Sequence, residues 1–191
     1  MRKLLSLTAA VATLAFASTL VAEELKSGLQ EGETIGAFIV EKCAGNPEDG
    51  VPVGENLCYR CMLGNRPTVA VFAKDADENL ASLVKQLDAV VAKHQDKKMA
   101  SFVTLDVNDM VTGKAKSEKL VKESEAKNVA VVVPTKQRVG IDGLKLNDKA
   151  AVTVLIFKDG KIASNHAYAE AKLLDKEAIA TIIKDTAKVV N

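Results

Sequence analysis

From Pro67 onward the chain alternates short apolar runs with amphipathic stretches. Thr68–Ala73 (TVAVFA) is a compact apolar run behind a proline, the length and composition of a buried strand. Asp75 and Asp77 follow and can cap a helix. Leu80, Leu83, Val84, Leu87, Val90 and Val91 then recur at three- and four-residue steps up to His94, one apolar helical face. Ala100–Val107 predicts a second strand, Ser117–Lys127 a helix of weaker periodicity, and Asn128–Val133 (NVAVVV) a third strand ended by Pro134. Ala151–Phe157 and Ile162–Tyr168 predict two more strands. Between them Lys158-Asp159-Gly160-Lys161 supplies the positive-φ residues of a tight hairpin. A last helix runs from about Asp175 to Val190, with Ile179, Ile182, Ile183 and Val190 on its inner face. Two helical crossovers require the first three strands to be parallel and the hairpin adds antiparallel ones. The expectation is an α/β fold with a mixed five-stranded sheet and helices on both faces.

The segment before Pro67 is different. Residues 23–66 form a Gly-rich lead-in, with glycines at 28, 32, 36, 45, 50, 54 and 64 and prolines at 47 and 52. Thr34–Val40 could add a short strand, and Gly45–Gly54 is a loop by composition. Ahead of it, Arg2 and Lys3 precede the uncharged run Leu4–Leu14. Ala15-Phe16-Ala17 and Ala22 before Glu23 offer small-residue cleavage points. This is the pattern of an export signal, residues 1–22, and predicts a periplasmic or secreted chain without a stable membrane span after signal removal. No cysteine stands at a cleavage point, which argues against a lipid anchor. The expected organisation is 1–22 signal peptide, 23–66 lead-in and 67–191 the main domain.

With 191 residues, 48% of them hydrophobic, the chain can bury one proper core. A net charge of +1 and the absence of a concentrated basic surface argue against a nucleic-acid partner. The one basic stretch, Lys93–Lys98, reads as a solvated helix end. Asp75, Asp77 and Glu78 are the acids a helix start favours. Neither a Ser-His-Asp arrangement nor a phosphate or calcium loop is visible, and no cofactor is implied. The cysteines are Cys43, Cys58 and Cys61, an odd number, so export leaves one of them free, metal-bound or shared.

This arrangement resembles the thioredoxin-like superfamily, and within it the redoxin branch of AhpC/TSA- or TlpA-like proteins. Leu29-Gln-Glu-Gly32-Glu-Thr-Ile-Gly-Ala-Phe38 resembles the branch's N-terminal motif, Gly-Asp/Glu-x-x-Pro/Gly-x-Phe. Pro67–Ala73 resembles its central strand. Val152-Thr-Val-Leu-Ile-Phe-Lys-Asp-Gly160-Lys resembles its hairpin. The resemblance covers about residues 28–191 and implies thiol–disulfide chemistry with a thiol or disulfide protein partner. Two departures stand out. The reactive cysteine of such proteins follows the central strand, where this chain has Lys74-Asp-Ala-Asp-Glu-Asn-Leu80. Their cis-proline precedes the Thr that opens the hairpin, where this chain has Val152, expected to be trans.

The cysteines lie upstream instead, in Leu57-Cys58-Tyr-Arg-Cys61-Met-Leu-Gly64. At a strand rise of about 3.3 Å per residue, the length of the central strand places them roughly 20 Å from the usual position. Locally the sequence predicts a short helix capped by Asn56 and ended by Gly64. Cys58 in the first turn would be the attacking thiol, its pKa lowered by the helix and aided by Arg60, and Cys61 the resolving one. The alternatives are a structural disulfide pinning the lead-in to the sheet, formed by Cys58 and Cys61 or including Cys43, and a Zn or Cu(I) site of all three cysteines. His94 is the better fourth ligand on topology and His166 the poorer, although a helix-end cap explains His94 without a metal, and no metal is expected.

Overall fold

The structure, a computed structural model, describes residues 25–190. The expected export signal lies outside the described residues. The chain forms β1 (Val40–Gly45), β2 (Asn56–Leu57), α1 (Tyr59–Leu63), β3 (Thr68–Ala73), α2 (Glu78–Lys93), β4 (Ala100–Leu105), α3 (Met110–Ser124), β5 (Val129–Pro134), β6 (Val152–Lys158), β7 (Lys161–Tyr168), α4 (Lys176–Asp185) and α5 (Ala187–Val190). They build a mixed α/β fold around one sheet of order β2-β1-β5-β4-β3-β6-β7. β3, β4 and β5 are parallel, and β6 and β7 run antiparallel, as expected. Every residue of β3, β4 and β5 is buried, which is why these strands read as continuous apolar runs rather than alternating ones.

The sheet has seven strands, not the five expected from the sequence. The added pair, β1 and β2, comes from the lead-in and extends the sheet beyond β5. The strand expected at Thr34–Val40 begins only at its last residue. Thr34 makes an isolated bridge to Lys161, and Ile35 and Phe38 insert into the core as a cover for the sheet.

The two faces are covered unequally. Val69, Val71, Val103, Val131 and Val154 face α2, α3 and α4. Both crossover helices lie on this face, as a shared handedness demands when both steps move the same way across the sheet. The opposite face carries Phe72, Phe102, Val132, Leu155 and Phe157. It is covered by Ile35 and Phe38, by short helix α1, and by Ile141 and Leu144 of the β5–β6 connection. Phe38 sits between Phe72 and Phe102, with ring centroids 5.9 and 6.1 Å away.

Asp77 caps α2 and Asp175 caps α4, each carboxylate accepting backbone N–H bonds of the first turn. α3 starts at Met110, seven residues ahead of the expected Ser117, with Asp109 as its cap. Its buried stripe is Gly113, Ser117, Leu120 and Ser124, and only Leu120 is large and apolar. Ser117 and Ser124 return their hydroxyls to the carbonyls of Gly113 and Leu120, so the stripe is satisfied but nearly invisible to hydropathy. The last helix is interrupted at Thr186. The β6–β7 turn has φ +55° at Asp159 and +75° at Gly160, the two positive values of a type I′ hairpin. Among the described residues no peptide bond is cis, and Val152 is trans as expected.

Gly45 closes β1 with φ +75°, and a Cβ there would lie 2.2 Å from the carbonyl oxygen of Val129. Gly45→Ala is therefore expected to destabilise the protein by more than about 2 kcal/mol in urea unfolding, from left-handed strain and backbone overlap together. Gly36, with open space around it and no positive φ, provides the control: Gly36→Ala should be neutral or slightly stabilising.

Candidate functional site

Helix α1 has only five residues, too few to persist by propensity alone. Four features hold it. Cys58 is its N-cap, with Sγ 3.1 Å from the backbone N of Cys61, so the expected Asn56 cap is replaced by the cysteine itself, and Asn56 belongs to β2. Gly64 ends the helix at φ +58°, as expected. Arg60 Nε donates to the carbonyl of Ile35 at 3.1 Å and its guanidinium lies over Gly160 at the hairpin turn. Arg60 thus anchors the helix to the sheet's end and is not directed at the sulfurs, contrary to the role expected from the sequence.

Cys58 and Cys61 form a disulfide across a Cα–Cα distance of 5.2 Å. Cys61 is exposed and Cys58 half-buried. Cys43 does not join them. It is 4% exposed beneath α3, in the core of the opposite sheet face, and is a free thiol. Burial, reinforced by the Glu41 carboxylate, pushes its pKa up to about 11, so it stays protonated and inert near neutrality. The pairing of Cys43 with either CxxC cysteine and the three-cysteine metal site are both overturned, because the sheet separates the thiols. His94 does return on α2, but its Nδ1 lies 3.0 Å from the Val90 carbonyl, a helix-end role. No three His, Cys, Asp or Glu side chains cluster for an ion among the described residues.

The remaining attachment of α1 is a polar network that sequence reading missed. Lys42 is 1% exposed, on the face of the sheet opposite Cys43. Its ammonium donates to Asp49 Oδ1 at 2.6 Å, the Asn46 carbonyl at 2.7 Å and the Val51 carbonyl at 2.8 Å, using all three protons. Asp49 also accepts from the Val51 N–H at 2.9 Å and from the Tyr59 hydroxyl at 2.6 Å. Burial, reinforced by the Asp49 carboxylate, drives the Tyr59 phenol pKa far upward. Tyr59 in turn stacks on Phe102 with centroids 5.4 Å apart. The Gly-rich loop is thereby tied to α1 through one buried cation.

The other end of β3 holds no cysteine, as the sequence indicated. There a cleft of about 600 Å³ is lined by bonded polar groups: Lys116 pairs with Asp75 beside it at 2.9 Å, Arg138 pairs with Asp106 at 2.6 Å, and Lys74 Nζ donates to the backbone carbonyl of Asp148. Val152 pairs with Ala73 at this end, whereas Thr68, at the CxxC end, pairs with Phe157. The length of β3 therefore separates the disulfide from the Val152 end. A Ser-His-Asp grouping, not seen in the sequence, does occur at β7 and α4. Ser164 donates to Asp185 at 2.6 Å and His166 Nε2 lies 3.1 Å from the same carboxylate. The serine is 2% exposed and its proton goes to the carboxylate, so no base activates it and the cluster braces α4.

No protein-family model and no curated protein sequence matches this chain. Solved structures do match. A protein assigned as the thiol:disulfide interchange protein DsbE of Chlorobium tepidum aligns with TM-score 0.60 at 13% identity, over 85% of this chain and 99% of that one. One assigned as a protein disulfide isomerase of Bacteroides thetaiotaomicron gives TM-score 0.61 at 13% identity, covering 87% and 94%. Peroxidoxin BcpB from Mycobacterium tuberculosis gives 0.58 at 13%, covering 84% and 96%. The fold is thioredoxin-like. In this thioredoxin-like chain the disulfide occupies the end of the central strand opposite the position the resemblance implied, on an element made by the lead-in.

Removing Lys42 strands the Asp49 carboxylate. Lys42→Met is expected to cost about 3–5 kcal/mol, the range for breaking a buried pair on one side. Tyr59→Phe removes one bond to a charged acceptor and should cost about 1.5–3 kcal/mol. Urea unfolding of both variants checks the order. A loss below about 1 kcal/mol for Lys42→Met would show that the pair does not hold the loop.

Proposed function

We propose that the protein is an exported thiol–disulfide oxidoreductase that exchanges through the Cys58–Cys61 pair. The observation that supports this reading is what the bond connects. It joins the N-cap to a residue three positions on, within the same helix, and leaves Cys61 exposed. A bond of this span ties no loop to the sheet. The lead-in is held by Lys42, Arg60 and the Phe38 cluster instead. Closing so short a loop restricts the unfolded chain by only about 2 kcal/mol. As a staple it contributes little, while its placement suits exchange. Among the described residues no helix is long and apolar enough to cross a membrane.

Exposure and hydrogen bonding support different parts for the two sulfurs. A partner thiolate attacks the exposed Cys61 Sγ. The Cys58–Cys61 bond breaks and its electron pair stays on Cys58 Sγ, where the Cys61 N–H stabilises the thiolate. A second partner thiolate attacks the partner's own sulfur in the mixed disulfide and releases Cys61, which takes up a proton. The partner dithiol is oxidised to a disulfide and the protein is reduced to a dithiol. With a partner disulfide and the reduced protein, the same steps run in reverse. On this reading the first contact falls on Cys61 and the stabilised charge on Cys58, whereas the sequence led to the expectation of Cys58 as the attacking thiol and Cys61 as the resolving one.

The second reading is a binding or scaffold module that kept the fold without the chemistry. The position after β3 that lacks cysteine favours it. Dithiothreitol-driven insulin reduction separates the two. The wild type should accelerate it slowly, and Cys58→Ser and Cys61→Ser should each abolish the acceleration. Cys58→Ser should accumulate a mixed disulfide between Cys61 and insulin, visible by mass spectrometry. A wild-type rate equal to the uncatalysed one, with both variants merely losing stability to a similar extent, would establish the module and exclude the oxidoreductase.

A further inference from the structure

A cleft of about 310 Å³ runs along α1 at the N-terminal end of β3 and β4. Its apolar lining includes Leu63 and Met99, 6% and 2% exposed, and Met62, which is 41% exposed. Met62 follows Cys61 in the chain. At about 100° per helical residue it stands between the cysteines and Tyr59, so the cleft begins where the disulfide ends.

The cleft's charges are unbalanced. Arg66 and Lys98 line it together, and Arg66 Nε donates to the Lys98 carbonyl at 2.6 Å, which fixes the guanidinium. Among the described residues neither cation has a carboxylate partner within salt-bridge distance. Of the two acids in the lining, Asp49 is neutralised by Lys42, and Glu48 has no cation partner among the described residues. Two unpaired cations face one unpaired carboxylate beside an apolar floor.

We propose that this cleft seats the residues flanking the partner's cysteine, selecting a partner with an apolar residue and then an acidic residue beyond that cysteine. The proposal rests on the exchange reading. The apolar side chain covers Met62, Leu63 and Met99, and the carboxylate meets Arg66 and Lys98. Charge complementarity at an exposed rim acts mainly on encounter and orientation, and salt weakens it. Selection should therefore appear in the rate of attack on Cys61 and fade at high ionic strength.

The test uses two peptides, Ac-Gly-Cys-Leu-Glu-Gly-amide and Ac-Gly-Cys-Leu-Lys-Gly-amide, with 2-mercaptoethanol as an uncharged thiol. Each reacts with the oxidised full chain. Opening of the Cys58–Cys61 bond is followed by mass spectrometry, and rates are expressed per thiolate after each thiol is titrated. The acidic peptide should react about five- to tenfold faster than the basic one at low salt, and less than about twofold faster near 1 M salt, where the Debye length is ~3 Å. Lys98→Gln should reduce the low-salt ratio, Arg66→Gln with Lys98→Gln should bring it to about one, and Glu48→Gln should raise it. Equal peptide rates at low salt in the wild type would overturn the proposal while leaving exchange intact. If 2-mercaptoethanol and both peptides all fail to open the bond, the exchange reading falls and the proposal with it.

Discussion

The buried Lys42 ammonium is the interaction on which the CxxC end of the molecule depends. It brings together a loop that composition alone would leave loose and a helix too short to stand by itself. One carboxylate, Asp49, connects the two, receiving the ammonium on one side and the Tyr59 hydroxyl on the other. Desolvating such a pair is expensive, and it is offset only because every ammonium proton and both carboxylate oxygens are bonded. The return is geometric more than energetic. Tyr59 is fixed on Phe102, α1 is fixed on Tyr59, and the disulfide is held at the surface with Cys61 outward.

The thioredoxin-like fold of this chain therefore has its disulfide at an unexpected end. The central sheet and its long helices match those of proteins with TM-scores near 0.6, yet the end of β3 carrying Lys74, Asp75 and Val152 is built of paired ions. The two ends differ in what supports them. The β3 C-terminal end is bounded by the caps of α2 and α3, both regular helices. The CxxC end is assembled from β1, β2, α1 and the hairpin turn, elements that exist only through tertiary contact. The disulfide ties none of these elements together and lies within a helix that other contacts position.

Where local pattern and burial coincide, the structure was legible in the sequence. Thr68–Ala73, Asn128–Val133 and the Asp159–Gly160 turn carry strong local signals, and Leu80 to Val91 carries an unbroken apolar face. α3 extends upstream of its expected start because its buried stripe uses Gly113, which close packing against Val133 demands, and two serines bonded to the helix's own carbonyls, none of which hydropathy registers. β1 was displaced because Ile35 and Phe38 look like strand residues but serve as a lid on the sheet. The CxxC motif was visible, but its environment was not. Lys42 shows in sequence only as a lysine inside VEKCAG, and its partner Asp49 is one acid in a polar loop. Nothing local pairs them, and Cys43, next to Lys42 in the chain, is carried to the other side of the sheet.

On the proposed reading, Cys58–Cys61 is a bond poised for exchange. Its equilibrium reduction potential, measured on the full chain in glutathione buffers of graded ratio, tests that most directly. An exchange pair should titrate in the range spanned by exchange proteins, about −120 to −270 mV. A potential below about −300 mV would contradict the account, because a bond that resists the glutathione pool is a structural one.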